Sequence, residues 1–305
     1  MKRIKLARIL LHFAALLPKK HPVWDSKWDG GQPFFVFGSG RNGSTLLNRI
    51  LNQHSQLFLP PEQYFLGPSI IKYSLYNFMI WRDLVKVIAG ELIQTSKSHN
   101  WHIQEFPDLR SIFLWPKEER SLQRLINEIF LTVNYDKKQL WGDTTHLNTN
   151  YAPEIVKVYP NGKYFFLIRD GRDVVASFKK GGPEIFEDRS NPIVAANQWI
   201  NSIKMYEYLK RKVDLKLIRY EELVTAPEVI LQEVCGKIGV PFEQGMLRFH
   251  DHIPEREIYQ QEIHENLRKP ISARSIGSYQ EILSDVELAQ IMPIIKSGLK
   301  QFDYL

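Results

Sequence analysis

"FVFGSGRNGSTLLNRILNQH", residues 35–54, joins an apolar run, a glycine turn and a helical pattern. Gly38 and Gly43 have the spacing of the phosphate loop GxxxxGK[ST], and Thr45 stands where that motif takes Ser or Thr. The lysine position holds Ser44, and the cation is Arg41, inside the loop. A strand, a glycine turn and a helix N-terminus together aim backbone N–H groups and a positive dipole end at an anion, which requires no lysine. In nucleoside triphosphatases the lysine reaches the β/γ-phosphates and the hydroxyl helps to hold Mg²⁺. Here Arg41 can supply charge, and Ser44, Thr45 and the amides can supply hydrogen bonds. The apolar segment at 163–168 ends in Arg169, where a metal-holding aspartate would be needed. The loop is therefore expected to handle its anion without metal.

Outward from the loop the pattern alternates. "PFFVFG" (33–38) is an apolar run before glycines, as in a buried parallel strand, and Leu46, Leu47, Ile50 and Leu51 follow at helical spacing. "LFLPPE" (57–62) and "KQLWGD" (138–143) predict short strands, and residues 70–134 are mainly helical. "KYFFLIRDGRDVVASF" (163–178) reads strand, turn, helix, and "LKLIRYEELV" (215–224) reads strand, then turn. Residues 192–212, 226–238 and 284–300 complete the helices. The sum is one α/β domain, a P-loop-type parallel sheet flanked by helices. Ligands of such sheets bind beyond the carboxyl ends of the strands, where Gly38, Arg169 and Tyr220 fall.

The formal charge of +6 is local. Residues 1–24 carry Lys2, Arg3, Lys5, Arg8, Lys19 and Lys20 and no acid, and the rest of the chain balances at 34 basic and 34 acidic residues. A broad nucleic-acid footprint is thereby disfavoured. One cysteine, Cys235, excludes an internal disulfide and a cysteine-based zinc cage and suits a cytoplasmic setting. The charge-free run Ile9–Pro18 is about half of the ~20 residues a spanning helix needs. As a helix the segment places Lys5, Arg8 and His12 on one face, ending at Pro18. Three readings stand: peripheral membrane contact through residues 1–20, a signal peptide, for which no convincing small-x-small cleavage site follows, or a helix packed on its own domain. The expected division is thus a basic amphipathic segment, 1–24, and a catalytic domain, 31–305.

In "LIRDGRDVVAS", Ser177 follows Arg169 by eight residues, about two helical turns. A guanidinium at a strand end and a hydroxyl on the next helix can share one phosphate. Equally, Arg169 can pair with Asp170 or Asp173, leaving Ser177 on a helix surface.

The two features together resemble the sulfotransferase family. "GSGRNGSTLL" resembles its 5′-phosphosulfate loop and "RDGRDVVAS" its 3′-phosphate motif. "IRYEELVTAPEVILQEVCGKIGVPFE" is similar to the segment whose tyrosine lies near the adenine, here Tyr220. "SIGSYQEILSDVE" is similar to the C-terminal GxW[KR] segment, with Tyr279 where Trp is usual. The resemblance runs from about residue 33 to the end. It implies the donor 3′-phosphoadenosine 5′-phosphosulfate (PAPS), no metal, and a binding set of Arg41, Asn42, Gly43, Ser44, Thr45, Leu46, Arg169, Ser177, Tyr220 and Arg274. Arg41 is implied as the counter-charge at the leaving oxygen.

Two residues compete as base for the acceptor hydroxyl. Glu62, in "LPPEQY", resembles the catalytic glutamate of tyrosylprotein and related bacterial sulfotransferases, and is preferred. His146, in "WGDTTHLN", resembles the histidine of cytosolic sulfotransferases. The family's lysine near this point is replaced by Thr144, for which Lys72, Lys179 or Lys180 are candidate substitutes. Residues 64–135, with Tyr64, Phe65, Tyr73, Tyr76, Trp81, Trp101 and Trp115, are expected to build the site of a small-molecule, glycan or lipid acceptor. The rival readings are a P-loop kinase, a non-catalytic nucleotide-binding module and, resting only on the N-terminal helix, a membrane-associated scaffold.

Overall fold

The computed structural model describes residues 2–14, 16–24, 31–98, 106–134, 136–251 and 269–305; Trp101 lies outside them. The α/β architecture is as expected, with five strands in parallel and helices around them. The strands are β1 (Phe34–Gly38), β2 (Leu57–Phe58), β3 (Leu140–Asp143), β4 (Lys163–Ile168) and β5 (Leu215–Arg219). The chain forms two compact units, residues 1–33 with 56–162 and residues 34–55 with 163–305.

The second unit holds β1, β4 and β5. Its pairings run from Phe34↔Lys163 to Gly38↔Leu167 and from Tyr164↔Leu215 to Ile168↔Arg219. Every residue of β1 is buried, which is why that strand is apolar without alternation. Phe35, Phe37 and Tyr164 stack on one another across the pair. The helix Pro192–Lys210 packs on β1. Its buried Trp199 donates from Nε1 to the carbonyl of Arg169 at 3.0 Å, pinning the end of β4. The stretch after β5 is a short helix, Tyr220–Thr225, rather than the expected turn. Buried Cys235 lies in the helix Pro227–Ile238, and its thiol is pushed up to about 11 by burial, with the Glu243 charge adding to it.

In the first unit β2 and β3 pair through Leu57↔Leu140 and Phe58↔Trp141. The helices Leu66–Tyr76, Trp81–Ser98, Leu109–Phe113 and Leu122–Thr132 occupy the stretch expected to be helical. Trp141 stacks on Phe130 at 4.0 Å and donates to Asn127 Oδ1 at 3.0 Å. Of the aromatics in the stretch expected to build the acceptor site, most of them expected to be core, Phe65, Tyr73 and Trp81 are buried; burying a Phe-sized side chain contributes about 1.5–3 kcal/mol by leaving water.

Candidate active site

The loop after β1 is built from unusual backbone. Gly40, Arg41 and Gly43 all have positive φ, of 80, 53 and 99°. The turn leads directly into the helix Ser44–Leu51, whose first amides face the loop. Asn42, expected among the binding residues, turns its side chain inward. Its Nδ2 donates to the carbonyl of Leu167 in β4 at 2.7 Å, so the side chain braces the loop against the sheet. Gly43 is required twice, by its φ and by space, since a Cβ there would lie 2.5 Å from Tyr220 Cδ2. We expect Gly43→Ala to lower stability by about 1–3 kcal/mol. Gly236→Ala, a helix position where an added Cβ meets nothing within 4 Å, should raise it slightly. Urea denaturation of both variants checks the pair; equal stabilities would show that the loop yields without cost.

The loop forms one wall of a cavity of about 430 Å³. Arg41, Gly43, Ser44, Thr45 and Leu46 line it from the loop side. Arg169, Ser177, Tyr220 and Arg274 line the remainder, so nine of the ten residues expected to bind the donor meet there. Lys269, Pro270, Ile271, Ser272 and Ser275 also line it, and these the sequence reading did not single out.

Arg169 is the hub. It is 6% exposed, donates from Nη1 to the Arg41 carbonyl at 3.3 Å and from Nη2 to the Ser275 carbonyl at 2.5 Å. Its guanidinium carbon lies 4.4 Å from the Tyr220 ring centre, a cation–π stack. Its Nε is buried with no hydrogen-bond partner among the described residues. Across the cavity Arg41 Nε donates to Ser177 Oγ at 3.0 Å, and its guanidinium lies over Phe186. An unspent buried N–H beside two guanidinium groups and a hydroxyl is chemistry that fits an anion.

Of the two acids considered as partners of Arg169, Asp173 is within ion-pair distance and Asp170 pairs with Arg172. Asp170 caps the helix Gly171–Phe186 and takes Arg172 in a bidentate pair, at 3.0 and 2.6 Å. Asp173 sits 3.8 Å from Arg169 Nη2, but its hydrogen bonds go elsewhere. It accepts from the amides of Gly277 and Tyr279, both at 2.9 Å, and from Ser278 Oγ at 3.2 Å. This carboxylate therefore holds the C-terminal strap, and with it Arg274 and Ser275, at the cavity. Tyr279, where the family pattern has Trp, stacks under Arg172 at 4.4 Å.

In the first unit, Glu62 and His146 are direct partners through Oε1 and Nδ1. Buried groups behind them set this pairing. Gln63 donates to Asp143 Oδ2 at 2.5 Å and accepts from the Phe65 amide at 2.6 Å, while its own amide donates to Thr145 Oγ1 at 3.1 Å. Asp143 also accepts from Asn148 Nδ2 and from the Thr145 amide, each at 2.9 Å. Burial pushes the Asp143 carboxyl up, and these hydrogen bonds oppose that by favouring the ionised form. The Glu62 side chain is 40% exposed and that of His146 only 11%.

Of the cations considered as substitutes at Thr144, Lys72 is bound to Glu91, and Lys179 to Glu287 at 2.6 Å; Lys180 is exposed. His54 is buried, with Nε2 2.7 Å from the Pro241 carbonyl, a core position. No group of three or more His, Cys, Asp or Glu placed to hold a metal occurs among the described residues.

Comparison with known proteins bears on the family and the fold. Residues 33–244 match the profile of the sulfotransferase family. A Caenorhabditis briggsae protein, named provisionally as a protein-tyrosine sulfotransferase, is 24% identical over 269 residues, 85% of each chain. In fold, the chain is similar to the sulfotransferase domain of the Synechococcus PCC 7002 olefin synthase, with a TM-score of 0.57 and 17% identity over 88% of this chain and 95% of that one. The sulfotransferase domain from the curacin biosynthetic pathway gives a TM-score of 0.54 and 18% identity over 88% and 98%.

Proposed function

The chain belongs to the sulfotransferase family and moves a sulfuryl group from PAPS to a hydroxyl; we propose that this hydroxyl is phenolic and that Glu62 removes its proton. PAPS supplies the sulfuryl group and carries two phosphate sites. The observation that carries the reading is the convergence of Arg41, Arg169 and Ser177 on one cavity beside a helix N-terminus.

Arg169 and Ser177, which line the cavity together, would take the 3′-phosphate. The amides of residues 43–46, with Ser44 and Thr45, would take the phosphosulfate end, and Tyr220 the adenine. Arg41 would neutralise the charge that develops on the departing phosphate. For that task it gives up its contact with Ser177, whose hydroxyl then turns to phosphate. Lys269 at the cavity wall adds a cation from the C-terminal strap.

Glu62 is preferred over His146 because a base must be reachable by its substrate, and its carboxylate is the more exposed of the pair. His146 then serves as a positioning residue that holds one carboxylate oxygen. An ordinary carboxylate takes a proton more readily from a phenol, at pKa about 10, than from an aliphatic alcohol several units higher. The phenolic assignment also follows the name of the relative from Caenorhabditis briggsae. The helices between residues 66 and 132 are the proposed walls of the acceptor site.

The test uses ³⁵S-labelled PAPS with a tyrosyl peptide, a simple phenol, a sugar and an aliphatic alcohol. Transfer to the two phenols should exceed that to the alcohol and the sugar by at least ~10-fold. Label entering only the aliphatic hydroxyls would overturn the acceptor assignment. Absence of calorimetric heat with 3′,5′-adenosine bisphosphate would overturn the binding site itself.

A further inference from the structure

The helix Lys2–Ala14 carries apolar residues on both of its faces. Ile4, Ala7, Arg8, Leu11 and Ala14 are its half-buried residues, and it packs on the helix Leu66–Tyr76. Arg8, expected to join Lys5 and His12 on a cationic face, instead points inward. It donates to both Glu154 oxygens at 2.7 and 2.8 Å and to the Asn150 carbonyl at 3.0 Å. The outward face carries Leu6, Ile9, Leu10 and Phe13, with Phe13 66% exposed. A helix that packs one apolar face on its own body, spends Arg8 there, and still shows four large apolar residues to water has a further surface to cover.

The apolar face continues beyond the helix. Leu16 and Leu17 are exposed, and the chain then runs against the turn after Tyr76, where the Lys20 and His21 amides donate to Asn77 Oδ1 at 2.8 and 3.0 Å. That turn exposes Phe78 and Ile80, the latter at 58%. His21 lies against Trp81, and Trp81 against Trp115, so exposed Leu114 belongs to the same neighbourhood. Lys5, Lys19 and Lys20 are exposed around this face. Lys117 and Arg120 lie close enough to His21 to add, after burial and together with Lys20, to the lowering of its pKa. Of the nearby acids, Glu154 is held by Arg8, Glu119 by Arg124 and Asp83 by Lys86, and Glu118 is exposed.

We propose that this face docks on an anionic bilayer surface, with Leu6, Ile9, Leu10, Phe13, Phe78 and Ile80 entering the interface and the lysines meeting lipid headgroups. Apolar side chains flanked by Lys5, Lys19 and Lys20 match a surface that is negative outside and apolar beneath. A second copy of the chain matches poorly, because a two-fold contact sets Lys5, Lys19 and Lys20 against themselves. No helix among the described residues is long and apolar enough to cross a membrane, so the contact is peripheral.

The test is flotation of the full chain with vesicles of phosphatidylcholine alone or with about 30 mol % phosphatidylglycerol. Partition to the anionic vesicles should be at least ~10-fold stronger and should weaken, without vanishing, in 0.5 M salt, roughly the range where exposed charges are screened. The double variant Ile9→Glu, Phe13→Glu should lose ~10-fold or more, and Ile80→Glu several-fold. Both changes lie on exposed side chains, and unaltered circular dichroism and thermal unfolding certify their fold. Equal partition of wild type and variants overturns the proposal, as does failure of the wild type to float with anionic lipid. A dimer in light scattering that Ile9→Glu dissolves would reassign the face to self-association.

Discussion

Glu62→Gln lowers kcat by ~10²–10⁴-fold and leaves the affinity for 3′,5′-adenosine bisphosphate within about twofold. The magnitude is that of losing a general base. The constancy follows because Glu62 belongs to residues 56–162, whereas the cavity-lining residues all belong to the other unit. The amide keeps the shape of the carboxylate and loses only the proton-accepting charge, so a purely structural role would leave kcat nearly intact. His146→Ala should cost less, ~10-fold, because it removes a partner of one Glu62 oxygen and spares the carboxylate. The pH–rate profile separates the roles: its acid limb, which reports ionisation of the base, should vanish in Glu62→Gln and persist in His146→Ala. The opposite result would transfer the base to His146. Small and equal losses would remove both from the chemistry.

Arg169→Ala should weaken bisphosphate binding ~10²–10³-fold, the loss of one or two hydrogen bonds to a charged group. Arg169→Lys should recover little, because an ammonium cannot serve the Arg41 carbonyl, the Ser275 carbonyl and a phosphate together while stacking on Tyr220. Ser177→Ala, which removes one hydroxyl, should cost ~10-fold. Adenosine 5′-phosphate, which lacks the 3′-phosphate, isolates the contact. Wild type and Arg169→Ala should bind it almost equally in calorimetry. If the variant loses as much affinity for this ligand, Arg169 acts by bracing the loop and strap, and the 3′-phosphate assignment fails.

That Arg41, Arg169, Ser177 and Tyr220 line one cavity was legible because they lie close to the strand ends that position them. Strand β1 had to be apolar throughout, being buried on both faces, and the glycine loop had to follow it at once. The eight-residue step from Arg169 to Ser177 spans a single strand–helix junction, so local geometry suffices to bring both to one cavity. Asn42 was read with its neighbours as a binding residue, since no local signal shows that its amide reaches across to Leu167. Asp173 was similarly opaque: its partners, Gly277 to Tyr279, are about a hundred residues away. The cations at Lys72 and Lys179 looked available until their carboxylate partners were placed.

Sequence alone therefore determined the sheet and the glycine loop, because periodicity and short spacings encode contacts that fold within one strand–turn–helix unit; the donor followed from the family resemblance of the motifs. Only the tertiary structure decided that Glu62 and His146, read as rivals, are partners across 84 residues. The same holds for the N-terminal helix, where Arg8 turns inward to Glu154 and leaves Leu6, Ile9, Leu10 and Phe13 on the outward face. Both outcomes depend on which buried groups must satisfy one another at long range, and spacing along the chain carries no record of that.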